Sequence, residues 1–407
     1  MTGSDVTEQL RILRAGAVDC ITEDELRDKL ASGRPLRVKL GLDPSRPDIH
    51  IGHAVVLRKL RQFQERGHTA VLIVGDFTAQ VGDPSGASAT RPALSKAEVD
   101  ANAATYFEQA QRILLPDPLE IRHNSEWLGE MGIDDVLRLA ARSTVARMLE
   151  RDDFAKRYAA GTPISVMELL YPLLQGWDSV MVRSDVELGG TDQLFNLLAA
   201  RGLQEHEGQA AQVVLTMPLL VGLDGTQKMS KSFDNYVGIT EPPEAQFGKV
   251  MRIADELMPM YFELTTGWHP DAVEEVTGRL ASGDLKPVDA KRLLARTVVD
   301  LYHGDGAGEG AEAEFDRVFK DHTAPTDVED FVIPSDELRD GRIEVARLLA
   351  LSGLVGSNRE GRRKITEGGV HLDKERVSDP SRAVTPDDVD GRLLRLGRRG
   401  WRRIRAR

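Results

Sequence analysis

The pattern that most restricts the fold lies between residues 36 and 75. Leu36-Arg37-Val38-Lys39-Leu40 alternates at the two-residue period of a strand, then breaks at Gly41 and Asp43-Pro44. Helical spacing follows through Val55, Val56, Leu60 and Phe63 and ends near Gly67. Ala70-Val71-Leu72-Ile73-Val74 is apolar at every position, as a strand covered on both faces must be, and stops at Gly75-Asp76. Strand, helix, strand of this kind builds a parallel sheet with ligands at the carboxyl ends of its strands. The expected class is α/β, with a Rossmann-like parallel sheet.

Further strands are expected at Leu119-Glu120-Ile121-Arg122, Val186-Glu187-Leu188 and Val213-Val214-Leu215, and helices over 97–113, 134–150 and 166–182. From Glu244 to Phe319 the spacing is mainly helical. Asp321 to Pro334 is polar, carries two prolines and reads as a linker. The expected division is a Rossmann-like domain over 1–230, a helical domain over 231–325, a linker over 326–340 and a small α+β unit over 341–407.

Charge is distributed unevenly. The chain carries −12 overall, yet from Arg342 to Arg407 there are 17 Lys and Arg against 9 Asp and Glu. An acidic body with a basic tail points to RNA binding confined to the tail; a tail that merely keeps the chain soluble is the plain alternative. Cys20 is the single cysteine, which excludes an internal disulfide and a cysteine-rich zinc site. No run approaches the ~20 apolar residues of a membrane helix, and no secretory signal is visible, so a cytoplasmic location is expected.

Two short motifs carry chemistry. His50-Ile51-Gly52-His53 follows a strand and turn at the start of a helix. Its histidines share a helical face where backbone N–H groups and the helix dipole favour phosphate. Gly52 has no side chain to hold a nucleotide off the backbone, and the imidazoles can donate hydrogen bonds to a phosphate gaining charge. A metal pair and a pair of surface histidines are the competing readings; against the metal, no third ligand is obvious and the glutamate of HExxH is missing. Lys228-Met229-Ser230-Lys231-Ser232 follows the turn-rich Gly222-Leu223-Asp224-Gly225, and its ammonium and hydroxyl groups suit a polyphosphate leaving group. An ordinary basic turn is the competing reading there.

Together these motifs resemble the two signatures of class I aminoacyl-tRNA synthetases. Gly41-Leu42-Asp43-Pro44, Gly82-Asp83-Pro84-Ser85-Gly86, Tyr171-Pro172-Leu173-Leu174-Gln175 and Gly189-Gly190-Thr191-Asp192-Gln193 resemble the bacterial tyrosyl-tRNA synthetase family. The tryptophanyl enzymes resemble the chain less in these segments. The resemblance implies tyrosine activation by ATP with Mg²⁺, then transfer to tRNA(Tyr), in a homodimer, with the helical domain on the anticodon side and no zinc. It implies catalytic roles for His50, His53, Lys228, Ser230 and Lys231. ATP contacts would come from Gly52, Gly189, Asp192, Lys231 and Arg91, the last at pyrophosphate. It assigns Asp83, Tyr171 and Gln175 to the substrate ammonium group, with Asp43 nearby, and Gln193 to its carboxylate.

Residue chemistry agrees at one place. Tyr171, Gln175 and Asp178 lie at i, i+4 and i+7 and share one helical face among apolar neighbours. A carboxylate so placed needs a partner, which a phenolic hydroxyl supplies, whereas phenylalanine would leave Asp178 unpaired; a salt-bridged surface aspartate is the alternative. The chain departs from one branch of the family at Lys39, where that branch has a tyrosine that meets the substrate hydroxyl, and at Ala87, where it has a lysine. A protonated, outward-pointing Lys39 could not copy that contact.

In the tail, Val345 to Leu354, Ser357 to Ile365 and Gly368 to Asp373 resemble the S4-type RNA-binding module, with Arg359, Arg362, Arg363 and Lys364 as a basic helical face beside Ile365. Such a face grips phosphates and shape. A synthetase for another amino acid, tryptophan first, and an RNA-binding paralogue without catalysis remain the alternatives.

Overall fold

The computed structural model describes residues 3–44, 48–85, 95–320, 328–397 and 400–406, and divides into two compact units, Met1–Asp305 and Gly306–Arg407. The first is built on a six-stranded sheet of β1 (Asp19–Ile21), β2 (Arg37–Leu42), β3 (Thr69–Val74), β4 (Leu119–His123), β5 (Val186–Gly190) and β6 (Val213–Met217), in the order β1-β6-β5-β2-β3-β4. All neighbours are parallel except β1, which pairs antiparallel with β6 at the edge. The chain runs outward from β2 to β3 and β4, then returns to place β5 on the other side of β2. Strand order therefore reverses between β2 and β5, and their carboxyl ends frame the crevice where such sheets take ligands.

Burial explains why these segments became strands. Val71 to Val74 of β3 and Val213 to Leu215 of β6 are buried between helices on both faces, as their unbroken apolar runs predict. The helix Ile51–Gln64 packs on the sheet through Val55, Leu57, Leu60 and Phe63. The helix Val166–Val182 has the bounds that its spacing predicts; Ser165 caps it by accepting from the Met167 N–H, and the Glu168 carboxylate accepts the Ser165 N–H at 2.8 Å. The helix expected over 134–150 is two, Ile133–Ala140 and Val145–Met148, because the Thr144 hydroxyl caps a new start. Helices Pro243–Val250, Met258–Thr265, Pro270–Ser282 and Pro287–His303 follow the sheet. Among the described residues no helix is long and apolar enough to cross a membrane.

The second unit holds the helix Ala307–Phe319 and a five-stranded sheet of β7 (Asp330–Val332), β9 (Val370–Leu372), β10 (Glu375–Arg376), β12 (Leu393–Leu396) and β13 (Gly400–Arg405), ordered β10-β9-β12-β13-β7. The short pair β8 (Ile343–Glu344) and β11 (Ala383–Val384) stands apart from it. The expected linker over 326–340 needs correcting: β7 lies inside it and pairs parallel with β13. Two helices, Val345–Leu351 and Asn358–Thr366, close the core with Leu348, Leu349 and Ile365 over Val370, Leu372 and Leu394.

Candidate active site

The crevice at the carboxyl ends of β2 and β5 gathers the motif residues of the first unit. His50 is the cap residue of the helix Ile51–Gln64, and its ring stacks on that of His53 with centroids 3.7 Å apart and planes 19° from parallel. Gly52 permits this stack, since a side-chain carbon there would sit 3.0 Å from the His50 ring and 3.5 Å from Met229 Cβ. His50 is 5% exposed, and its Nδ1 is buried with no hydrogen-bond partner. Burial, with His53 and the Lys231 ammonium group, pushes the His50 pKa down to about 2. His53 keeps one face open to solvent, yet protein crowding and the Lys231 and Lys228 charges bring its pKa down to about 4. Both imidazoles are therefore neutral near pH 7, with one N–H each to donate. Of the first-turn N–H groups expected to face phosphate, that of Ile51 is occupied by Val237 O at 2.9 Å.

The second motif lies beside the first. Lys231 Nζ pairs with the Asp48 carboxylate just ahead of His50, and Lys228 Nζ stands 3.6 Å from Asp192 Oδ2. The loop is shaped by Asn235, which is buried: its Oδ1 accepts the Ser230 N–H at 2.7 Å, and its Nδ2 donates to Asp224 Oδ2 at 2.7 Å and Lys228 O at 3.2 Å. Ser230 caps the turn by accepting the Ser232 N–H. Backbone bonds from Ile51 N to Val237 O and from Ile239 N to Ile49 O (3.2 Å) fasten the segment after the loop to the histidine motif. At the end of β5, Gly190 leaves room for the Asp192 carboxylate, 2.7 Å from where a Cβ would be. Burial holds the Asp192 pKa up, and the nearby Lys228 charge opposes this.

The polar face of the helix Val166–Val182 points into the same crevice. Tyr171 Oη donates to Asp43 Oδ2 at 2.8 Å, and Thr78 Oγ1 donates to Asp43 Oδ1 at 2.7 Å. Gly75 is obligatory against that carboxylate, because a Cβ would lie 1.9 Å from Asp43 Oδ1. Burial, reinforced by Asp83 and Asp178, raises the Asp43 pKa to about 7. Asp83 Oδ2 accepts Gln193 Nε2 at 2.9 Å.

Two expectations change here, and a third falls on residues that are not described. Asp178 is buried but not bare: Trp127 Nε1 donates to its Oδ1 at 2.8 Å and Asn124 Nδ2 to its Oδ2 at 3.3 Å, so an empty pocket does not leave it unpaired. Burial still raises its pKa to about 6. Lys39 does not point outward: it is fully buried, 2.8 Å from Glu187 Oε1, and donates to Gln175 O and Ser179 Oγ. Arg91 and Ala87 lie outside the described residues.

Sequence reasoning missed Asn124, Trp127, Arg151, Glu187 and Asn196, all buried polar or aromatic groups around the crevice. The available signal was Asn196, a polar residue between Phe195 and Leu197; Arg151, between Glu150 and Asp152, gave none, and neither stands in a motif. Among the described residues no group of three or more His, Cys, Asp or Glu is placed to hold a metal ion.

In the second unit, Arg359, Arg362, Arg363 and Lys364 share the exposed part of the helix Asn358–Thr366 while Ile365 is buried. The face is less purely basic than its spacing predicts: Arg362 pairs with Glu344, Arg363 with Glu360 and Glu367, and Lys364 with Glu367. Arg359 pairs with no described residue.

The family of class I tRNA synthetases (W and Y) matches residues 31–320, and the S4 domain matches 345–390. The tyrosine–tRNA ligase of Moorella thermoacetica is 50% identical over 404 residues, covering 98% of this chain and 96% of its own. That of Deinococcus radiodurans is 50% identical over 403 residues, with the same coverage of both chains. This chain belongs to the tyrosine–tRNA ligases. A tyrosyl-tRNA synthetase from Archaeoglobus fulgidus, solved with L-tyrosine, shares the fold with a TM-score of 0.62 at 24% identity, covering 75% of this chain and 99% of its own. The ligase assignment replaces the tryptophan alternative.

Proposed function

We propose that the crevice activates tyrosine with ATP and passes the tyrosyl group to the 3′ end of tRNA(Tyr). The observation that carries this reading is the facing of His50 and His53 by Lys228 and Lys231 across one crevice that also receives Tyr171, Gln175 and Asp178.

In the first step a tyrosine carboxylate oxygen bonds to the α-phosphorus of ATP while the bond to the β-phosphate oxygen breaks and pyrophosphate leaves. Neutral His50 and His53 donate N–H bonds to the phosphate oxygens, and the orphaned His50 Nδ1 supports a ligand partner there. Lys228 and Lys231 neutralise the departing pyrophosphate, and the Ser230 hydroxyl can donate a hydrogen bond to it. Gly52, Gly189 and Asp192 line the nucleotide, with Asp192 at the ribose. Mg²⁺ would arrive on the triphosphate and help neutralise its charge; among the described residues no cluster of protein ligands is placed to hold it. In the second step a terminal ribose hydroxyl of the tRNA attacks the tyrosyl carbonyl carbon and AMP departs.

Tyrosine would lie with its ammonium group at Asp83, Tyr171 and Gln175, near Asp43, its carboxylate at Gln193 and its hydroxyl at Asp178. Arg359, Arg362, Arg363 and Lys364 would meet RNA phosphates, and the reaction would take place in the cytoplasm. Exposed Ile133, Leu137, Val145, Tyr158 and Val166 lie on successive helices of the first unit and support a homodimer. Light scattering that finds a monomer at micromolar concentration would remove that part.

Exchange of labelled pyrophosphate into ATP tests the central reading. Tyrosine should drive it and tryptophan should not; exchange with tryptophan alone would end the tyrosine assignment.

A further inference from the structure

Asn196 is 1% exposed on the helix Leu194–His206, with no part in the motifs. Its Oδ1 accepts from Arg151 Nη1 at 2.7 Å, and its Nδ2 lies 3.0 Å from both Gln175 Oε1 and Gln193 Oε1, with Ser85 Oγ at 3.4 Å. Arg151 is also buried, anchored by Asp153 at 2.7 Å.

These contacts have only one consistent polarity. A guanidinium group donates and cannot accept, so the Asn196 atom facing it must be the carbonyl oxygen. The amide nitrogen then faces the two glutamines, which must present their oxygens to it. That turns Gln193 Nε2 toward Asp83 Oδ2 at 2.9 Å and Gln175 Nε2 toward Glu187 Oε1 at 3.4 Å, both acceptors. Lys39, 2.8 Å from the same Glu187 oxygen, fixes the far end. The buried Arg151 guanidinium thus sets the direction of all three amides; the Gln175 branch ends on Glu187 with Lys39 behind it, and the Gln193 branch ends on the Asp83 carboxylate.

We propose that Arg151 and Asn196 are positioning residues that impress the polarity of an amino acid on the site. The inference rests on the tyrosine-site reading above. With Oε1 held on Asn196, Gln175 keeps its second lone pair for an ammonium group. Gln193 has spent one N–H on Asp83 and keeps the other for a carboxylate. Reversing either amide would set N–H against ammonium or oxygen against carboxylate, and an amide alone in water has no preference between the two states. The device selects a substrate with both charged groups.

Asn196→Asp tests this, because it retains shape and the contact with Arg151 while removing both N–H donors. Binding of tyrosine, tyramine and 3-(4-hydroxyphenyl)propionate is measured by calorimetry alongside a thermal melt. The expected result is a rise in tyrosine Kd of about ten-fold or more, while the two single-charge analogues change by less than about three-fold. Arg151→Gln, whose amide can face either way, should shift the same ratio in the same direction. Unchanged tyrosine affinity in Asn196→Asp, or an equal loss for all three ligands, would overturn the proposal. Wild-type protein that fails to bind tyrosine would instead overturn the site reading beneath it.

Discussion

Lys39 and Glu187 are register partners on the adjacent parallel strands β2 and β5, and their side chains meet at 2.8 Å with at most 1% of either exposed. The Glu187 carboxylate is further engaged by Ser179 Oγ at 3.0 Å and by Gln212 Nε2, and the Lys39 ammonium by Gln175 O at 2.9 Å. A charged pair so enclosed is costly to halve. Lys39→Met should destabilise the fold by about 3–5 kcal/mol in urea titration, whereas Lys39→Met with Glu187→Gln should recover most of it. Equal stability of the single and double variants would contradict this account.

The raised carboxyl groups set a pH window. Asp43 and Asp178 titrate at about 7 and about 6 in the folded chain, against about 3.9 unfolded. Between pH 4 and 7 the native state therefore holds protons that the unfolded chain has released. Their favourable contribution is complete below about pH 4 and is lost as the pH rises through about 6 and 7. Asp43→Asn should flatten the stability profile over this window, read as Tm against pH; a profile parallel to wild type would refute the assignment.

Asp178 also bears on substrate choice. Asp178→Asn should lower kcat/KM for tyrosine by about 10- to 100-fold, the scale of one hydrogen bond to a charged acceptor, and affect phenylalanine far less. The amide oxygen of the variant can still accept from Trp127 Nε1, while its NH2 would face the Asn124 Nδ2 donor, so a thermal melt accompanies the assay to show that the variant is folded. Equal losses for both amino acids would show that Asp178 does not read the hydroxyl.

Lys231 has a different kinetic signature. Lys231→Ala should reduce kcat by about 10²–10³ with little change in tyrosine Kd, as for a contact that strengthens with the developing charge. Unaltered pyrophosphate exchange would remove its role.

On the S4 helix, Arg359 is the cation with no ion pair among the described residues. Arg359→Ala should weaken tRNA binding and reduce the slope of log K against log salt by about one, more than Lys364→Ala, which starts from a 2.9 Å bond to Glu367. Equal slopes for the two variants would argue that the acidic neighbours do not matter.

The elements legible in the sequence are those whose burial repeats along the chain. β3 and β6 are apolar throughout because helices cover both faces, and the helix Val166–Val182 shows its polar stripe in its spacing. β1, three half-buried residues, and β7, whose partner β13 lies far along the chain, leave no local pattern. The site divides the same way. His50, Lys231 and Asp192 sit in contiguous motifs, whereas Arg151, Asn196 and Glu187 are recognisable only by what faces them. Lys39 shows the limit most clearly: alternation along β2 assigns a lysine to solvent, and only the neighbouring strand supplies the carboxylate that keeps it inside.

The two backbone bonds that join Ile49 and Ile51 to Val237 and Ile239 act as an axle beneath the lysine loop. The segment from Gly222 to Asn235 is thereby tied at its far end to the turn that carries His50. The lysines and the histidines therefore share one footing, and a change in the sequence of either motif is felt by the other through the main chain.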